Sequence, residues 1–167
     1  MFTLVTKLLD GKCWMTTNYN HTAGALSSTY YNVPSSGYTI PTSNCTKNGF
    51  AGYCNNSTYG GYYNWATATA GSNSTAYSIC PKGWRLPTNA EFTTLISTYS
   101  AASAGSKLTQ SPVNMQYGGY CLPGNYACGY NAGSYGYYWS STSNSSTTYA
   151  RNLSFGSSGV SSAGNLN

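Results

Sequence analysis

Charge is what this chain has least of. Only 5% of its 167 residues are Asp, Glu, Lys or Arg, and the acids number two, Asp10 and Glu91. Hydrolysis by paired carboxylates needs two acids brought together at different pKa values. Here each acid has a plainer use, Asp10 in an Asp-Gly turn and Glu91 in a helix cap. The single histidine, His21, has no acid or nucleophile patterned around it and reads as a surface residue. Neither a nucleophile elbow nor a Gly-x-x-x-x-Gly-Lys phosphate loop occurs. The sequence therefore predicts no enzyme, no catalytic residues and no cofactor. Calcium would need six to eight oxygens, several of them carboxylates, and two committed acids are too few. Zinc is disfavoured by the lack of any Cys-x-x-Cys pair and by the single histidine, so no metal is expected. The net charge of +5 comes from seven scattered bases with no Lys or Arg run, which excludes a phosphate-tracking stripe and argues against nucleic acid. Long apolar runs are missing too. Phe2-Thr3-Leu4-Val5 is cut short by Lys7, far below the length of a membrane span, and membrane insertion of this segment is not expected.

Aliphatic residues are scarce as well: Leu, Ile, Val and Phe together make 21. Such a share signals disorder only when net charge is high. In its place stand 18 Tyr, four Trp and 63 Ser, Thr and Asn. A core is still feasible at this length, filled by aromatic faces, small residues and crosslinks, with residues 1–167 as one domain. Phe2 to Leu9 alternates weakly and turns at Asp10-Gly11, a hairpin signal, into a short strand from Cys13 to Asn18. His21 to Thr58 reads as long loops. Tyr59 to Ala68 reads as an ordered block, strand or short helix, whose tyrosines fill the core or form a platform. Ala101 to Gly105 looks like a linker, and Lys107-Leu108 an edge. Trp139 to Thr142, Thr148 to Phe155 and Gly159 to Ser162 alternate as strands, with Tyr149, Arg151, Leu153 and Phe155 on one face. Seven Asn-x-Ser/Thr sequons, Asn152 among them, are little more than the about four or five that composition alone produces.

The strongest local signal runs from Ile79 to Ile96. Cys80-Pro81 and Lys82-Gly83 punctuate a turn, Trp84 and Leu86 alternate as a buried edge, and Pro87 keeps Leu86 extended. Thr88 and Glu91 then form a Thr-x-x-Glu capping box ahead of Phe92, Leu95 and Ile96, spaced for the buried stripe of a short helix. This Cys-Pro-Lys-Gly-Trp-Arg-Leu-Pro-Thr-x-x-Glu-Phe run resembles the central signature of the Fibrobacter succinogenes major paralogous domain family. Asp10-Gly11-Lys12-Cys13-Trp14-Met15 resembles that family's early block. The stretch Tyr59 to Ala68 resembles its Tyr-Tyr-Asn-Trp segment. Trp139-Ser140-Ser141-Thr142 with Ala150 to Phe155 resembles its late block. The resemblance implies an α+β, C-type-lectin-like fold: short twisted antiparallel strands, one or two helices and long disulfide-pinned loops. It also implies a bacterial extracellular or cell-surface location, and it brings no catalytic residues.

Six cysteines suit an oxidising compartment and allow fifteen pairings. Cys45 with Cys54 and Cys121 with Cys128 would each staple a polar loop, and Cys13 with Cys80 would join two of the family's blocks. Related domains end in a further strand with its own cysteine, whereas this chain ends at Asn167. The resemblance thus implies a segment without its last strand or export signal, in which Cys80 would have its partner elsewhere.

Tyr, Ser, Gly and Asn are the residues of antibody loops, where tyrosine gives contact area at low entropy cost. The expected function is a non-catalytic recognition or adhesion module for a glycan or a surface protein. Its contact surface would be Tyr117, Tyr120, Tyr126, Tyr130, Tyr135 and Tyr137, supported by Trp14, Trp65, Trp84 and Trp139. The competing expectation is a self-associating structural subunit of a surface layer or appendage. A third is a variable receptor-binding scaffold.

Overall fold

In a computed structural model the described residues form nine short strands and three helices. It describes residues 5–8, 10–21, 23–41, 45–46, 52–72, 76–99, 104–122, 127–144, 150–157 and 159–166. Val5–Lys7 (β1) and Cys13–Met15 (β2) form the predicted hairpin, pairing antiparallel across the Asp10-Gly11 turn. Asp10 holds that turn by accepting the Lys12 N–H and the Trp14 indole N–H, both at 3.0 Å.

The span His21 to Thr58, expected to be all loop, carries strands instead, and the ordered block expected from Tyr59 supplies the partner of the last one. Gly24–Leu26 (β3) pairs with Tyr38–Ile40 (β4), and Tyr53–Asn56 (β5) with Gly60–Tyr63 (β6). Each is three or four residues long, too short for period-two alternation to register in a sequence. The helix Trp65–Ala68 (α1) follows, capped by Asn64, whose side chain accepts the Thr67 N–H at 2.8 Å.

Asn89–Thr98 (α2) is the predicted helix, and its capping box is complete: Thr88 accepts the Glu91 N–H while the Glu91 carboxylate takes the Thr88 N–H. Trp84 and Leu86 are half-buried but belong to no described strand. The expected edge at Lys107-Leu108 is the last turn of a helix, Ala104–Leu108 (α3). One turn is enough to drop Leu108 into the core fully buried.

Tyr135–Ser143 (β7), Ala150–Gly156 (β8) and Gly159–Leu166 (β9) make a three-stranded antiparallel meander. Tyr149, expected on its inner face, lies outside the described residues. α2 packs against this sheet. Phe92, Leu95, Leu108, Val113, Leu153, Phe155 and Leu8 close into one cluster, with the Trp14 ring tilted against Phe92 at 6.0 Å. Burying such side chains is worth roughly 1.5–3 kcal/mol each. A second cluster gathers Leu26, Val33, Ile40, Tyr53, Ala70 and Ile79 under Tyr19, Tyr31, Tyr38 and Tyr63. The class is thus mixed, mostly small antiparallel strands with few helices. No helix among the described residues is long and apolar enough to cross a membrane.

Candidate functional site

Period-two geometry on β7 sorts the aromatic residues. Tyr138 pairs with Leu153 and Gly136 with Phe155, so these face α2 and the first cluster. Tyr135, Tyr137 and Trp139 face the other way, opposite Gly156, Ser154 and Asn152. The outward row is an aromatic stripe against small or polar partners. It begins at exposed Tyr135 and runs into a cleft of about 1280 Å3 lined by Tyr137, Trp139 and Asn152. Tyr62, Tyr63, Trp84 and Tyr120 contribute further wall.

Two glycines bring the Tyr120 arm against β7. Gly119 and Gly136 bridge in parallel, and a Cβ on Gly119 would sit 2.3 Å from the Tyr130 carbonyl oxygen. Only glycine allows that approach, and at φ +67 only glycine adopts it freely. Tyr120 and Tyr130 exchange backbone hydrogen bonds and meet edge to face at 5.6 Å. Tyr120 also packs 4.8 Å from Tyr137. Four of the six tyrosines expected at the contact surface (Tyr120, Tyr130, Tyr135 and Tyr137) therefore form one patch, continuous with the cleft. Tyr117 does not join it: its ring lies 5.5 Å from Phe155, packed against the first cluster. Tyr126 lies outside the described residues.

The walls are fixed by hydrogen bonds. The Trp139 indole N–H donates to the Tyr63 carbonyl at 2.7 Å, and that of Trp65 to the Ser140 carbonyl at 2.9 Å. The Tyr138 hydroxyl donates to Asn18 Oδ1 and accepts the Gln116 N–H, both at 2.8 Å. Burial pushes that hydroxyl up to about 12, against these hydrogen bonds. Asn18 spends its remaining capacity on the Tyr59 carbonyl and Gln116 Oε1. Asn152 is the contrast. It is 1% exposed, yet among the described residues neither Oδ1 nor Nδ2 has a hydrogen-bond partner. An unmet buried polar group costs roughly 1–3 kcal/mol, so this amide is a standing expense of the fold. It also sits between two register breaks, one toward β7 and one toward β9. Such bulges commonly re-aim a side chain beside a functional site. Sequence reasoning missed it, because Asn152 stood out there only as one of seven sequons that composition nearly accounts for.

The titratable groups are tied down. Arg85 clamps Glu91 through two bonds of 2.8 and 2.7 Å, and with the Thr88 N–H this holds the carboxyl well below its usual range, at about 2. His21 meets the Tyr31 hydroxyl at 2.9 Å, stacks on its ring edge, and gives its backbone N–H to the Tyr63 hydroxyl. It is half-buried structure and not plain surface.

Cys45–Cys54 and Cys121–Cys128 are disulfides, as expected. They lie side by side. The sulfurs of Cys45, Cys54 and Cys128 fall within 4.8 Å of one another, and the Cys128 N–H donates to the Cys45 carbonyl at 2.8 Å. Committed to disulfides, these sulfurs are not thiolate ligands for a metal. The expected Cys13–Cys80 bridge is not made; both are thiols. Cys13 lies exposed on the hairpin, while Cys80 is buried beside Ile79 against the second cluster. Both border the cleft, and burial pushes the Cys80 thiol above its ordinary value.

The family model of the Fibrobacter succinogenes major domain matches residues 9–162. The chain belongs to that family. No curated protein and no solved structure matches it significantly.

Proposed function

We propose, with membership of the Fibrobacter succinogenes major domain family as the premise, that this chain is a non-catalytic recognition module of C-type-lectin-like build. It acts outside the cell, binding a glycan or a surface protein. The observation that carries this reading is the outward face of β7, where Tyr135, Tyr137 and Trp139 stand in a row leading from solvent into the cleft. Aromatic rings on a fixed strand offer large contact area at little entropy cost. Neighbouring disulfides that pin the loops around Cys45 and Cys128 support an oxidising compartment. The non-catalytic reading rests on the engagement of Asp10, Glu91 and His21 described above. A glycan is favoured over a protein because the stripe is uncharged and its aromatic faces suit the C–H faces of sugar rings.

The test is a glycan-array screen of the oxidised protein. A saccharide bound by a monomer, and lost on Tyr135→Ala or Tyr137→Ala, supports the reading. Absence of binding together with concentration-dependent assembly would move the conclusion to a structural subunit. One feature favours that second reading: among the described residues β9 pairs only with β8, leaving an edge that another chain could extend.

A further inference from the structure

We propose that the cleft ends in a subsite for one neutral pyranose ring, read by the side-chain amide of Asn152. The inference rests on the recognition reading and adds the residue, the ligand class and the place. Three observations converge on it. Asn152 borders the cleft with donor and acceptor both unused, although it is almost wholly buried. Its cross-strand partners are Trp139 on one side and Gly164 on the other. Trp139 offers a flat ring beside the amide. The register breaks flanking Asn152 set it apart from the regular ladder.

An amide presents one acceptor and two donor hydrogens in a plane. Adjacent ring hydroxyls, each able to donate and accept, match that pair without any charge. Nothing near the site calls for an ion, because the acid at the cleft margin, Glu91, is already neutralised by Arg85 and Lys12. From Tyr135 to Trp139 the stripe runs roughly 13 Å at the usual strand rise, so a short oligosaccharide would lie along it with its terminal ring at Asn152. At 1% exposure the amide is closed to solvent. Binding therefore displaces a wall side chain, and an induced component is expected in the kinetics.

The experiment uses the oxidised full chain, 15N-labelled, titrated with cellobiose, xylobiose, lactose, maltose and N,N′-diacetylchitobiose. At least one should give saturable shifts in both the Asn152 side-chain NH2 and the Trp139 indole N–H. Asn152→Leu should weaken that binding roughly ten-fold or more. The same substitution should raise Tm by roughly 2–4 °C, since it removes an unmet polar group. Binding lost with stability gained is the signature that a merely structural asparagine would not give. A fall in Tm with unchanged affinity overturns the subsite. So does a sugar whose binding ignores Asn152→Leu and is lost in Tyr135→Ala, although recognition by the stripe then survives. If no sugar moves the two wild-type signals the subsite falls, and if a selected peptide moves them instead the ligand is protein and recognition again survives. The wild-type shifts decide the matter even if a variant fails to fold.

Discussion

The cluster beneath α2 and the cluster around Ile40 and Tyr53 differ in what fills them and in what holds them. The first is aliphatic and aromatic carbon: Phe92, Leu95, Leu108, Leu153 and Phe155 are all at or below 1% exposure. A capped helix of ten residues covers a three-stranded sheet there. The second has fewer aliphatic side chains and covers them with tyrosines. Its strands come in pairs three or four residues long, and no pair bonds to another. Tyrosine hydroxyls and the His21 ring do the joining, and the Cys45–Cys54 disulfide ties β5 to the loop before it, beside a second disulfide at Cys121–Cys128. A chain poor in Leu, Ile and Val can therefore build one region by burial, but builds the other by hydrogen bonds and covalent staples.

That contrast breaks first under core truncation. Leu95→Ala removes a fully buried side chain and should cost about 3–4 kcal/mol, seen as a large fall in denaturation midpoint by every probe. Next comes the opposite manoeuvre, removal of staples. Replacing Cys121 and Cys128 together by Ser opens a loop of seven residues and should cost about 2–3 kcal/mol. Hydrogen exchange should then rise around Cys45, Tyr53 and Tyr130 while the α2 amides stay protected. Equal loss of protection in both regions would mean that they fold as one unit and that the contrast is only compositional.

The hydroxyls sharpen it further. Tyr63→Phe leaves the His21 N–H without its acceptor at 2.9 Å and should cost about 1 kcal/mol. Tyr99 packs on the first cluster, and its buried hydroxyl has no partner among the described residues, so Tyr99→Phe should be neutral or slightly stabilising. Thermal melts of the two variants side by side test whether the oxygen of Tyr63 matters to its region while Tyr99 serves the other by its ring alone.

What could be read from the sequence follows the same divide. Thr88, Glu91, Phe92 and Leu95 lie within eight residues, and a capping box with an i, i+3 stripe is a local signal, so α2 was legible from its cap onward. β8 was legible because its seven residues let alternation show, while β7 and β9 were legible over about half their length, at 139–142 and 159–162. β3, β4 and β5 were not, because a three-residue strand is defined by its partner and not by its own pattern. Leu108 misled because an isolated Leu beside Lys is equally at home on an edge or on one helical turn. The contact surface was legible in part. Tyr120, Tyr130, Tyr135 and Tyr137 share a patch because bridges and alternation gather them, while Tyr117 turns to Phe155. Asn152 was invisible because its significance lies in partners it does not have.

A further modest effect concerns the joint between the hairpin and the helix. Glu91 takes Arg85 and the Thr88 N–H and lies 3.8 Å from Lys12, so one carboxylate ties the β1–β2 turn to the start of α2. Arg85 is 62% exposed, and solvent screening limits such a pair, so Glu91→Gln should cost only about 1 kcal/mol at neutral pH. The pH dependence is more telling than the size. The carboxyl titrates at about 2 in the folded chain against an ordinary 4.5. Its contribution is thus fully present above pH 4.5 and is lost as pH falls toward 2, because protons bind the unfolded chain first. Wild-type Tm should drop more steeply across that window than the Tm of Glu91→Gln, and the two curves should converge at its acid end. Parallel curves would mean that the capping amide geometry, which glutamine can partly keep, carries the joint and that the charge adds nothing.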